Sequence, residues 1–248
     1  MHIVRCGGTF GKTQERSYFI KASIFIFGGV ILIFLPIFLV GNQVLVVRVI
    51  SFGLGLLSCG YGLHYSKRSR NWAKGMIGEK KVIETLMPLD NSYVLINDVT
   101  LPYKKGNIDH ILIGPNGIFA IETKSYKLTY LNRWGVKQAM RNAIALKEFF
   151  KEQTGSNMFI KAVLVSTDLN SFKNYKYSTV NVKSLNKLYS FIINDKNKFV
   201  LKDDVKKKMI HEILRCQSSK FNIDSFRSYA VDTHDKMDKK SQTAVFPA

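Results

Sequence analysis

The segment Ile108-Asp-His-Ile-Leu-Ile-Gly-Pro-Asn-Gly-Ile-Phe-Ala-Ile-Glu-Thr-Lys124 restricts the fold more than any other part of this chain. Two apolar runs flank Gly114-Pro115-Asn116-Gly117, whose residue types suit a tight turn. Pro115 pre-sets its own φ, while Asn116 and Gly117 tolerate left-handed backbone. The segment therefore reads as a β-hairpin. Pairing Gly114 with Gly117 fixes the register throughout, so that Ile113 faces Ile118, Asp109 faces Glu122 and Asn107 faces Lys124. Side chains alternate along a strand, which puts Asp109, Glu122 and Lys124 on one face.

Two carboxylates opposite each other across a ladder repel. A divalent cation between their oxygens removes the conflict. Hard Mg²⁺ is held by one or two carboxylates and completed by waters and substrate phosphate, and Mn²⁺ accepts the same oxygen donors. A lysine two residues on can neutralise a phosphate or orient the attacking water. The competing reading is a hairpin with polar residues at its solvated ends, where Lys124 merely neutralises Glu122. Spacing alone leaves both open. His110 points to the other face and reads as a core or edge histidine with a satisfied hydrogen bond.

Asp109, followed after the turn by Glu122-Thr123-Lys124, is similar to the D…(D/E)-x-K signature of the restriction-endonuclease-like, or PD-(D/E)xK, nucleases. The wider run resembles one branch of them, the nuclease-related domain (NERD). Its features here are Gly78-Glu79, Asn97-Asp98-Val99-Thr100-Leu101-Pro102, Ile108-Asp109-His110, Gly114-Pro115-Asn116-Gly117 and Ile121-Glu122-Thr123-Lys124, and the likeness covers roughly residues 72–165. The resemblance implies an α/β fold with a restriction-endonuclease-like core, a mixed sheet flanked by helices. It implies a catalytic set of Glu79, Asp109, Glu122, Lys124 and Gln138. Asp109 and Glu122 would hold the metal, with the Thr123 carbonyl as a further ligand. Glu79 would be a third acidic residue delivered by a helix; otherwise it is a solvated glutamate beside Lys80 and Lys81, and Glu84 competes for the role. Gln138 would bond the attacking water, or else cap a packing contact. Relatives often carry a proline shortly before this glutamine, where Gly135-Val136-Lys137 stand here.

Ahead of this domain, residues 18–40 and 44–63 form two apolar runs, interrupted at Gly41-Asn42-Gln43. Each is long enough to cross a bilayer as a helix. The first is too long for the apolar core of a signal peptide and lacks a small-residue cleavage site. Arg5, Lys12 and Arg16 precede the runs, and Lys67, Arg68, Arg70 and Lys74 follow them, whereas the intervening turn carries no positive charge. Both ends are therefore expected in the cytoplasm, with the chain in the inner (cytoplasmic) membrane. Gly53, Gly55 and Gly60 are candidates for close packing between the two helices. The expected division is a cytoplasmic segment 1–16, a transmembrane hairpin 17–65, a basic linker 66–73, the nuclease-like domain 74–216 and a polar, mobile tail 217–248.

The formal net charge of +19 excludes no fold but favours a polyanionic partner, and most of the excess lies beyond Lys67. Cys6, Cys59 and Cys216 are odd in number and widely spaced, so they read as free thiols, not a zinc site. Within the domain, a helix is expected from Trp72 to Met87, stopped by Pro88, and a strand over 93–99. The loop through Lys104 and Lys105 precedes the hairpin. A helix over 136–153 carries Lys137, Arg141 and Lys151 near one face, a stripe suited to a phosphate backbone. A strand over 159–165, a loop over 167–177, a short strand over 179–182 and helices over 185–192 and 203–216 complete it, with Ser184 as a cap. Lys104, Lys105, Lys137 and Arg141 are the candidate nucleic-acid contacts, to DNA ahead of RNA. The function expected is membrane-anchored, Mg²⁺-dependent phosphodiester hydrolysis. The alternatives are an inactive nucleic-acid-binding or scaffold module tethered to the membrane, and a charge that serves lipid contact alone.

Overall fold

The computed structural model describes residues 1–5, 9–39, 45–102, 106–125, 133–155, 157–168, 175–195 and 202–218. They form two units, Gly7–Val82 and a second that joins Met1–Cys6 to Ile83–Ala248. Lys104, Lys105 and residues 219–248 of the expected tail lie outside the described residues.

The first unit is a pair of long helices, α1 (Thr9–Leu39) and α2 (Leu45–Leu86). Both are long and apolar enough to cross a membrane. Phe19, Phe27, Leu45, Val46 and Leu57 are among the large apolar side chains they leave exposed, as a lipid solvent would require. Small residues set their approach. A Cβ on Gly29 would lie 2.7 Å from the Gly55 carbonyl oxygen, and one on Gly55 2.8 Å from that of Gly29. Gly53 and Gly60 face open space instead, so of the three candidates only Gly55 makes the contact. The expected break at 66–73 and the helix start at Trp72 are also corrected. No proline interrupts the chain between Leu45 and Leu86, and the basic residues favour helix as well as the apolar ones do, so α2 runs through.

The second unit is built on a seven-stranded mixed sheet: β1 (His2–Arg5), β2 (Val94–Val99), β3 (Ile108–Gly114), β4 (Gly117–Lys124), β5 (Ile160–Ser166), β6 (Tyr175–Tyr177) and β7 (Val180–Ser184), in the spatial order β1-β2-β3-β4-β5-β7-β6. The α/β architecture with flanking helices is as expected. Two strands are additions. β6 falls inside the expected loop over 167–177. β1 comes from the N-terminal segment and pairs parallel to β2, with His2 beside Val94.

The parallel step from β4 to β5 demands a crossover, supplied by α3 (Arg133–Thr154). Its apolar stripe of Val136, Ala139, Ala143, Leu146 and Phe150 packs with Ile111, Ile113, Ala120, Ala162 and Leu164 of the sheet. Met209, Ile210 and Ile213 of α5 (Asp203–Ser218) join the same core. Gln217, assigned to the tail by its polarity, belongs to α5, and its Nε2 donates to the Thr100 carbonyl at 2.7 Å. The other face carries Phe119, edge-on to Phe191 of α4 (Leu185–Ile193). Ser184 is the N-cap residue of α4 as expected, but by its backbone alone; its hydroxyl donates to Asn186 Oδ1 and makes no side-chain capping bond.

The β3–β4 turn is locked from several sides. Gly117 has φ +127°, and a Cβ on Gly114 would meet the Tyr93 ring at 2.2 Å. Asn116 is buried; its amide donates to the Ile192 carbonyl and its Oδ1 accepts from the Tyr93 hydroxyl. The buried Lys161 ammonium donates to the Asn116 carbonyl at 2.8 Å and pairs with Asp195 at 2.8 Å.

Candidate active site

The hairpin register is the one its turn dictates: Gly114–Gly117, Ile113–Ile118 and on to His110–Ile121. Beyond that pair the ladder gives way to side chains. The Thr123 amide donates to Asp109 Oδ2 at 2.8 Å, so Asp109 is fastened to the strand that bears Glu122. Alternation then turns Glu122 and Lys124 toward α3, and Glu122 is only 1% exposed. The Lys124 ammonium donates to Glu122 Oε1 at 2.6 Å and to Gln138 Oε1 at 3.0 Å.

Asn142 completes the set, its amide donating to Glu122 Oε2 at 2.8 Å. Asn142 is not among the expected catalytic residues. Its signal was spacing, because Asn142 stands four residues after Gln138 and the two share one ridge of a helix. Asp98 belongs to a run that carries the resemblance but is given no role of its own. It is buried, sits at φ 56° where the β2–β3 pairing skips a residue, and accepts from Asn107 Nδ2 at 2.5 Å. Asn107 thus turns to Asp98.

The electrostatics follow from this packing. Burial and then the charge of Glu122 push the Asp109 carboxyl up to about 8, with a smaller push from Asp98 and opposition from the Thr123 amide and Lys124. Two carboxylates held at such cost suit an added cation. Among the described residues no three His, Cys, Asp or Glu side chains converge on one point. Asp109 and Glu122 are two carboxylates that could hold Mg²⁺, an ion otherwise completed by waters and substrate phosphate. Glu79 lies half-buried on α2 in the helical unit, while the other four predicted catalytic residues lie in the sheet unit. Lys137 and Arg141 are exposed on α3.

His110 faces away from this cluster. Its Nδ1 meets Asn97 Oδ1 at 2.7 Å, but its Nε2 is buried with no partner among the described residues, so the expected satisfaction is half met. Burial lowers its pKa to about 3. The unfolded chain takes up this proton below about 6.5, the folded one only near 3. Stability is therefore present above about 6.5 and is lost as pH falls toward 3, by about 1.4 kcal/mol per pH unit. Urea midpoints measured across that window are expected to fall more steeply for wild type than for His110→Gln. Parallel slopes would refute the assignment.

The second unit is thus a mixed sheet with a crossover helix over one face and a carboxylate pair with a lysine at the strand ends. Residues 74–167 match the family model of the nuclease-related domain, NERD. An uncharacterised protein of Bacillus anthracis is 43% identical over 58 residues, which are 22% of this chain and 27% of that protein's length. No solved structure matches.

Proposed function

We propose that this protein is a membrane-anchored, metal-dependent nuclease whose domain faces the cytoplasm. The observation that carries the reading is the carboxylate pair of half-buried Asp109 and buried Glu122, with the Lys124 ammonium beside Glu122, Gln138 holding Lys124 and Asn142 holding Glu122 from α3. Asp109 and Glu122 would hold Mg²⁺ or Mn²⁺; the Thr123 carbonyl is a further candidate ligand. When bound, the ion supplies charge neutralisation at the phosphate and a more acidic water. Lys124 orients that water or the phosphate, and Gln138 fixes where the ammonium points. Lys137 and Arg141 carry the neighbouring phosphates.

The anchoring reading is supported by α1 and α2, each able to span a bilayer. Their chain connectivity also supports a same-side topology. β1 precedes the pair of helices, β2 follows it, and the two strands are neighbours in one sheet. The positive charges outside both spans favour the cytoplasmic side. Retention in membranes washed with alkaline carbonate tests the anchoring.

The full chain in detergent, given plasmid DNA, linear DNA and structured RNA, is expected to cleave with Mg²⁺ or Mn²⁺ and not with EDTA, DNA before RNA. One observation favours the second reading, a non-catalytic tethered binding module: both Glu122 oxygens are already engaged, by Lys124 and Asn142. Binding without cleavage in any metal would select it.

A further inference from the structure

One ridge of α3 leads from solvent to core. Trp134, Gln138, Asn142, Leu146 and Phe150 follow at intervals of four and form one oblique ridge that turns about 40° around the helix at each step. Their burial is graded: Trp134 is 78% exposed, Gln138 half-buried, and Asn142, Leu146 and Phe150 buried. The two middle residues touch the site, Asn142 through Glu122 and Gln138 through Lys124. Trp134 is the next step outward, one helical turn or about 6 Å along the axis from Gln138. An indole so exposed buries little of its apolar surface, so packing among the described residues does not account for it. Its neighbours are cationic. The Lys137 ammonium lies 6.0 Å from the centre of its ring, and Arg141 is exposed one turn further along the same side.

We propose that Trp134 is a stacking platform for an unpaired nucleobase at the mouth of the Asp109–Glu122–Lys124 site, which makes single-stranded nucleic acid the preferred substrate. The inference rests on the nuclease-like reading and names its substrate class. An aromatic face beside a basic stripe is the general recipe for single-strand binding: every base offers a π-face, and the backbone follows the cations. Lys137 and Arg141 supply those cations about one and two turns along the helix from the indole. A paired base, stacked between its neighbours, cannot lie flat on the ring without being extruded from the duplex.

The test uses the full chain in detergent with EDTA, so that binding is read without cleavage. Its ligands are a single-stranded thymidine oligomer and a duplex of equal length. Trp134→Ala is expected to weaken single-strand binding by about tenfold or more, as the loss of one stacked base does, while duplex binding changes little. Trp134→Phe is expected to restore most of the loss. Lys137→Ala and Arg141→Ala are expected to lower the salt slope for both ligands, a change that Trp134→Ala does not produce. The chain has two tryptophans, so in a Trp72→Phe background the oligomer is expected to quench Trp134 fluorescence.

If wild type binds the oligomer and Trp134→Ala binds it equally well, or loses single strand and duplex alike, the stacking role is overturned while the nuclease-like reading stands. A Trp134→Ala protein that instead loses only its binding to phosphatidylglycerol vesicles overturns the role in favour of a lipid contact. Wild type that binds neither ligand overturns both readings.

Discussion

Glu122→Gln is expected to lower metal-dependent cleavage by roughly a thousandfold or more while leaving the protein folded. The substitution keeps the shape of the side chain and removes one of the two negative charges available to a cation. Such charge stabilisation is worth several kcal/mol in a phosphoryl-transfer transition state, and each 1.4 kcal/mol is about a factor of ten in rate. The folded state has less to lose. Glu122 accepts from Lys124 and Asn142, and an amide oxygen can retain one of these bonds. At the same time the charge that pushes Asp109 upward disappears. The thermal midpoint is accordingly expected to stay close to that of wild type, and the Asp109 carboxyl to move down toward its ordinary range. Cleavage rates, circular dichroism and the carboxyl titration by NMR check the three parts separately. A Glu122→Gln protein that cleaves at the wild-type rate would remove Glu122 from the metal-binding role.

Lys161→Ala is expected to cost about 3–5 kcal/mol of stability, the usual penalty for breaking a buried ion pair from one side. The ammonium is 6% exposed and its partner Asp195 12%, so solvent repairs little of the loss. The Asn116 carbonyl would lose its donor as well. This cluster lies at the turn end of the hairpin and the carboxylates at the other end, so the defect is expected to appear in stability and not in metal affinity. Urea unfolding together with a metal titration tests the separation. Lys161→Met with Asp195→Leu is expected to recover much of the loss, because replacing both members of a buried pair with apolar residues leaves no stranded charge.

The parts of the site legible in the sequence are those fixed by local chemistry. The Gly-Pro-Asn-Gly turn allows one register, and that register brought Asp109, Glu122 and Lys124 together without any knowledge of the rest. Gln138 was found by its place in a motif, and the structure gives it a physical task at Lys124. Asn142 was missed although helical spacing from Gln138 pointed to it, because an asparagine on a helix has no chemical signature until its partner is known. Asp98 was missed for a related reason: only a residue skipped in the strand pairing, with its left-handed backbone, brings its charge close enough to act on Asp109.

The elements that escaped are those decided at long range. β1 is four residues with no alternation of its own, and it exists only because β2 offers an open edge. α2 was divided by a change of composition from apolar to basic. Composition reports the solvent around a helix, whereas continuity here depends on the absence of proline, and none lies before Leu86.

The pairing of β1 with β2 sets an order of assembly. His2 and Val94 are partners, yet both long helices lie between them in the chain. During synthesis the first strand must therefore wait while α1 and α2 are made and placed, and the sheet closes only when the chain returns. A fragment that starts after the helices lacks this strand and leaves the β2 edge unpaired, an invitation to aggregation. A bulky tag fused ahead of Met1 would crowd the same edge. For this protein the helical pair behaves less as a detachable leash than as an insertion within a single folding unit.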